Sequence, residues 1–126
     1  MIFNIGIDIV EVDRFKDMKR FDEFLKRVFT SCELEYIKQR RYNPETIAGY
    51  FAAKEAVAKA LSTGVVFCFK DIEIQKGKTG CPMVKLYNRA EALCFELGIK
   101  NIVVSISHQK SVAVAVAIAE KAIAEK

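Results

Sequence analysis

Hydrophobic and polar positions alternate along the first dozen residues. Ile5, Ile7 and Ile9 fall on one side of an extended chain, and Gly6, Asp8 and Val10 on the other. The β-branched run predicts a strand over residues 2 to 12. From Arg14 the period lengthens: Phe15, Met18, Phe21 or Asp22, Leu25 and Val28 form a helical stripe, with Lys16, Lys19, Arg20, Lys26 and Arg27 mostly off it. Thr30 followed three residues later by Glu33 is a capping-box start for a second helix, through about Arg41. Asn43 then Pro44 places an N-cap before the residue preferred at the first helical position. That third helix is expected to reach about Ser62, with Gly64 as its stop.

The second half is richer in strands. Residues 71 to 76 and 83 to 87 alternate on either side of a Gly77–Pro82 turn and predict a hairpin. A helix from about Asn88 to Leu97 ends at Gly98. Residues 101 to 107 and 112 to 119 predict two further strands joined around His108. Strict alternation of Val or Ile with Ala in the last one implies a small face that packs closely against something.

Composition narrows the class. With 126 residues, 52% hydrophobic and 29% charged, the chain falls outside the disordered and fibrous ranges. It is expected to form one domain over residues 1–126. The N-terminus lacks a basic leader and is interrupted by Asp8 and Glu11, so it predicts neither a secretory signal nor a membrane span. A cytoplasmic location follows as the expectation, with no membrane partner.

The net charge of +4 is local. Between Arg14 and Arg41 nine basic residues face five acidic ones, and elsewhere the charges cancel. Either this is a solvated helix face or it meets an acidic partner. Nucleic acid is not the expected polyanion, because the basic residues are not interleaved with an aromatic stacking platform.

Chemistry-bearing residues are few. Cys32, Cys68, Cys81 and Cys94 have no CxxC spacing, and with His108 as the only histidine they build no familiar zinc site. A bound metal is therefore expected to be a hard cation on carboxylates, Mg²⁺ or Ca²⁺. Asp8 sits among side chains suited to a core, where an unpaired carboxylate costs several kcal/mol by order of magnitude. It calls for an ion-pair partner, exposure or a cation. Glu55 and Lys59 share a helix face four residues apart, either as an ordinary surface pair or as a second metal ligand with a phosphate contact one turn on. Gly77-Lys78-Thr79 is no phosphate-binding loop, since Ile72 stands where its first glycine belongs. His108 is a loop histidine, a phosphate contact or a general base with no evident orienting carboxylate.

Several of these segments recur together in one family. Gly6-Ile7-Asp8-Ile9-Val10-Glu11, Arg14, Phe29-Thr30 with Glu33-Leu34, Phe51-Ala52-Ala53-Lys54-Glu55-Ala56 with Lys59-Ala60, Gly64, Gly80 with Pro82, and Val104-Ser105-Ile106-Ser107-His108 resemble the holo-[acyl-carrier-protein] synthases. These are 4′-phosphopantetheinyl transferases. The order and spacing match over nearly the whole chain.

The resemblance implies an α/β (α+β) domain whose antiparallel-rich sheet packs on a long helix, assembling as a homotrimer with interface active sites. It implies Mg²⁺-dependent transfer of phosphopantetheine from coenzyme A to a serine of acidic apo acyl carrier protein. Adenosine 3′,5′-bisphosphate leaves, and the reaction supports fatty acid biosynthesis. Asp8 and Glu55 match the metal ligands, and Lys59 a pyrophosphate contact. Those three form the expected catalytic set. Lys59, Gly64, Ser107 and His108 are the expected coenzyme A contacts, and Arg14 and Arg20 the carrier-docking residues. Two departures stand out: Tyr50 where relatives often carry Arg, and Ser62 where Gly is common. The rival reading is a non-catalytic module that binds a nucleotide or an acidic protein.

Overall fold

A computed structural model describes residues 1–61 and 68–123. Ser62 and Gly64, with the expected end of the third helix, lie outside the described residues. Strand β1 (Ile2–Glu11) leads through a 3₁₀ turn (Val12–Phe15) to helices α1 (Phe21–Val28), α2 (Ser31–Gln39) and α3 (Pro44–Ala60). After a second 3₁₀ turn come β2 (Ile72–Lys76), β3 (Pro82–Leu86), α4 (Asn88–Leu97), β4 (Ile99–His108) and β5 (Val112–Lys121). Two antiparallel sheets result, one ordered β1-β5-β4 and one pairing β2 with β3.

Helix α3 is the centre of the domain. Its N-cap is as the sequence predicts: the Asn43 side chain accepts from Glu45 N–H at 2.9 Å, and Pro44 follows. Small residues let the sheet come close. Ala113, Ala115, Ala117 and Ala119 of β5 are all buried on the face turned to α3, which is the close packing that the Ala/Val alternation implies. Gly6 in β1 comes so near that a Cβ there would stand 1.9 Å from the Ala56 carbonyl oxygen. Only glycine permits that approach.

The register divides the larger sheet into two unlike faces. Gly6, Asp8 and Val10 align with Ala117, Ala115 and Ala113 of β5, and these with Val104, Ile106 and His108 of β4. This face meets α3. The opposite face carries Ile5, Ile7 and Ile9, in register with Ile118, Val116 and Val114. Ile5, Ile7 and Ile9 are 55–69% exposed, so Asp8, and not its apolar neighbours, points inward.

One element departs from expectation. The stripe from Phe15 to Val28 is buried as predicted at Phe15, Leu25 and Val28, but it is not one helix. Arg20 takes a left-handed conformation (φ 55°) that breaks α-helical propagation, and the helix restarts at Phe21. Phe15 still reaches the core, its ring 5.7 Å from Phe24 and 5.8 Å from Phe51.

The predicted capping box at Thr30 forms, with Glu33 N–H on Thr30 Oγ1 and Thr30 N–H on Glu33 Oε1. Glu33 has a second task that its spacing did not reveal. Buried Lys54 donates to Glu33 Oε1 at 2.6 Å and to the Ile72 carbonyl at 2.7 Å, while Glu33 Oε2 accepts from Ile74 N–H at 2.7 Å. Burial pushes Glu33 up and Lys54 down, against their mutual attraction. The pair ties α2, α3 and β2 together.

Candidate functional site

Asp8, Glu55 and Lys59 come together where β1 crosses the C-terminal half of α3. The Lys59 ammonium donates to Asp8 Oδ1 and to the Ile7 carbonyl, each at 3.0 Å. Asp8 is largely enclosed, its side chain 15% exposed against 53% for Lys59. Glu55 is half-buried beside them. Burial and the neighbouring Asp8 charge push its carboxyl above the ordinary range, and Lys59 and Arg14 only partly counter this. Two carboxylates that repel each other at a partly desolvated wall form an oxygen-donor set suited to a divalent cation. Among the described residues no third His, Cys, Asp or Glu joins them. Water and phosphate oxygens would have to complete a shell, which is the usual pattern for Mg²⁺.

His108 and Ser107 part company. Alternation along β4 turns His108 to the α3 side and Ser107, in register with Val114, to the opposite face. His108 Nδ1 lies 3.2 Å from Glu45 Oε1, so an orienting carboxylate exists after all. It comes from the first turn of α3, 63 residues away in sequence, and local spacing carries no signal of it. Together they line a cavity of about 220 Å³ with Tyr36, Arg40, Tyr50, Lys76, Gly80 and Pro82. Gly80 and Pro82 belong to the quoted family pattern, whereas Arg40 and Lys76 had no mark beyond their charge. Glu45 and Glu55 are ten residues apart on α3, about 15 Å along its axis. The cavity and the carboxylate site are therefore separate within one protomer.

The basic segment folds into a groove. Arg14, Lys19, Arg20 and Arg27 line it with Met18, Phe24 and a single carboxylate, Glu23, around a volume of about 330 Å³. The Arg14 guanidinium rests over the Phe51 ring, 4.9 Å from its centroid, one helical turn before Glu55. The groove thus adjoins the carboxylate site.

A family model described as the 4′-phosphopantetheinyl transferase superfamily matches residues 4–117. The chain belongs to this superfamily. A holo-[acyl-carrier-protein] synthase from Caldicellulosiruptor bescii is 98% identical over 121 residues, which cover 96% of this chain and 100% of that protein. The crystal structure of the holo-[acyl-carrier-protein] synthase of Neisseria meningitidis superposes with a TM-score of 0.87 at 33% identity, over 96% of this chain and 100% of the other. A holo-(acyl-carrier-protein) synthase of Bacillus anthracis, solved in complex with CoA (3′,5′-ADP), gives 0.77 at 35% identity, covering 97% and 99%. The resemblance read from Asp8, Glu55 and the strand ending at His108 extends to the whole fold.

Proposed function

We propose that this protein is a holo-[acyl-carrier-protein] synthase, transferring 4′-phosphopantetheine from coenzyme A to a serine of apo acyl carrier protein. The observation that carries the reading is the convergence of Asp8, Glu55 and Lys59 beside a cationic groove, in a chain 98% identical to a protein of that name.

Asp8 and Glu55 would hold Mg²⁺, which would polarise the pyrophosphate of the donor and offset charge on the transferring group. Lys59 spends two ammonium protons on Asp8 and the Ile7 carbonyl and keeps one for a phosphate oxygen. The carrier serine attacks the β-phosphorus, its proton passes to a base, and adenosine 3′,5′-bisphosphate departs. Glu55, directly or through a metal-bound water, is the candidate for accepting that proton, a role second to that of ligand because a carboxylate held by Mg²⁺ is a poorer base than a free one. Arg14 and Arg20 dock the acidic carrier, which sets its serine near Glu55. His108, held by Glu45, contacts the phosphoadenosine end of the donor, and Gly64 keeps the donor-side role that the family pattern assigns, whereas the Ser107 side chain faces away from that cavity.

The active sites lie between protomers of a homotrimer. Only one ribose separates the pyrophosphate from the 3′-phosphate of coenzyme A, whereas about 15 Å of α3 separates Glu55 from Glu45 in one chain. One donor molecule is better served by the carboxylates of one protomer and the His108 cavity of its neighbour. Exposed Ile5, Ile7, Ile9 and Val103 supply an apolar surface for such contacts. No described helix is long and apolar enough to cross a membrane, and the enzyme works in the cytoplasm on the carrier of fatty acid synthesis.

Apo carrier protein incubated with coenzyme A and Mg²⁺ gains the mass of one phosphopantetheine, and chelator abolishes the gain. No gain with any divalent cation would overturn the reading, and metal-independent binding of coenzyme A without transfer would favour a binding module instead.

A further inference from the structure

Position 50 carries a neutral phenol on the wall of the His108 cavity. Burial pushes the Tyr50 hydroxyl well above its ordinary value, so it contributes no charge. Its ring lies nearly parallel to that of Tyr36, at 11° and 5.2 Å between centroids. Two cations sit over the Tyr36 ring, Lys76 Nζ at 5.2 Å and the Arg40 guanidinium at 6.0 Å. Both line the cavity. Among the described residues neither has a carboxylate within 4.0 Å, whereas the cavity's own carboxylate, Glu45, is engaged by His108. The stack is thus a wall that draws two otherwise unpaired cations to the cavity surface, beside a histidine.

Resting on the transferase reading above, we propose that Lys76 and Arg40, held against the Tyr36–Tyr50 stack, are the specificity-determining residues for the 3′-phosphate of the donor in this chain. A phosphate monoester carries close to two negative charges at neutral pH, and two side-chain cations without partners match it. One comes from the end of α2 and the other from β2, so the preference depends on residues outside the helix that bears the carboxylate site.

The experiment compares coenzyme A with 3′-dephospho-coenzyme A as donors. In the parent enzyme kcat/KM favours coenzyme A. Lys76→Met and Arg40→Met each lower that preference at least tenfold, through KM for coenzyme A, and Tyr50→Arg placed in the Lys76→Met protein restores it. Both cations are exposed, so folding does not depend on them. Calorimetry with adenosine 3′,5′-bisphosphate against adenosine 5′-monophosphate reads the same contacts without turnover. A preference unchanged by both Met variants, or an equal loss with both donors, overturns the proposal. Absence of transfer alongside a Lys76-dependent preference for the bisphosphate would overturn the transferase reading and leave only the 3′-phosphate contact standing.

Discussion

Gly6 shows how much of the candidate site rests on a missing atom. Because a Cβ at this position would stand 1.9 Å from the Ala56 carbonyl oxygen and 2.7 Å from the Ala60 nitrogen, both backbone, no rotamer change can make room. Gly6→Ala must push β1 off α3, and it carries Asp8 away from Glu55 and Lys59. The expected result is a loss of about 1–3 kcal/mol or more in urea unfolding, the range for overpacking a close-packed interior, together with a fall in transfer. Gly98→Ala, at an open helix end of positive φ, should leave transfer in place and cost only the strain of that φ. Lys54 presents the opposite case, a long side chain that must stay. Lys54→Met leaves Glu33 buried without its ammonium and is expected to cost about 3–5 kcal/mol, whereas pairing it with Glu33→Gln should recover much of that. A double-mutant cycle by chemical denaturation measures the coupling. A coupling near zero would remove the pair from any account of how α2, α3 and β2 are held.

Among the elements, α3 joins every part of the site, and its first turn shows what could be read in advance. Its start was legible because Asn43 and Pro44 act on neighbouring backbone groups, and such local chemistry leaves a local pattern. The capping box at Thr30, the αL glycine ending α4 at Gly98 and the hairpin around Gly80 were legible for the same reason. The pairing of Glu45 with His108 and of Lys54 with Glu33 was not, since each joins residues brought together only by packing. The break at Arg20 was hidden because Phe15, Leu25 and Val28 keep helical spacing through it. Asp8, Glu55 and Lys59 stood out as residues, but only the register of β1 on β5 reveals that Asp8 faces α3. The link between the capping box and the β2–β3 hairpin also makes a prediction about acid. Burial opposes the Glu73 carboxylate, but hydrogen bonds from Thr30, Gln75 and Tyr87 outweigh it and hold its pKa below the ordinary 4.5. A carboxyl with a lower pKa when folded contributes stability above the unfolded value, and that contribution is lost as pH falls through the folded one. The melting temperature should therefore drop between about pH 5 and pH 3 more steeply in the parent than in Glu73→Gln. Parallel curves would assign the acid loss to other carboxylates.

At the scale of the whole molecule, the larger sheet has one face buried against α3 and another that a lone protomer leaves to water. The second face carries Ile5, Ile7 and Ile9 beside Val114, Val116 and Ile118, an apolar set in register across two strands. A charge at its centre, Ile7→Lys, leaves the α3 side untouched. It should convert the proposed trimer to smaller species in sedimentation without loss of secondary structure, and transfer should fall with it if sites are shared. Sharing itself has a sharper test. In the proposed cyclic trimer every interface is equivalent, and each would join the carboxylate half of one protomer to the His108 half of the next. Asp8→Ala destroys one half and His108→Ala the other, so neither homotrimer has an intact site. Unfolding and refolding the two variants together at equal ratio scrambles the protomers. About a quarter of the interfaces then pair an intact Asp8 with an intact His108 from its neighbour, and transfer at low coenzyme A should return to roughly that fraction of the parent rate. If the two halves served one site within a single protomer, no mixture could contain an intact site. The mixed sample would then work no faster than the average of its parents, and the shared-site arrangement would be excluded.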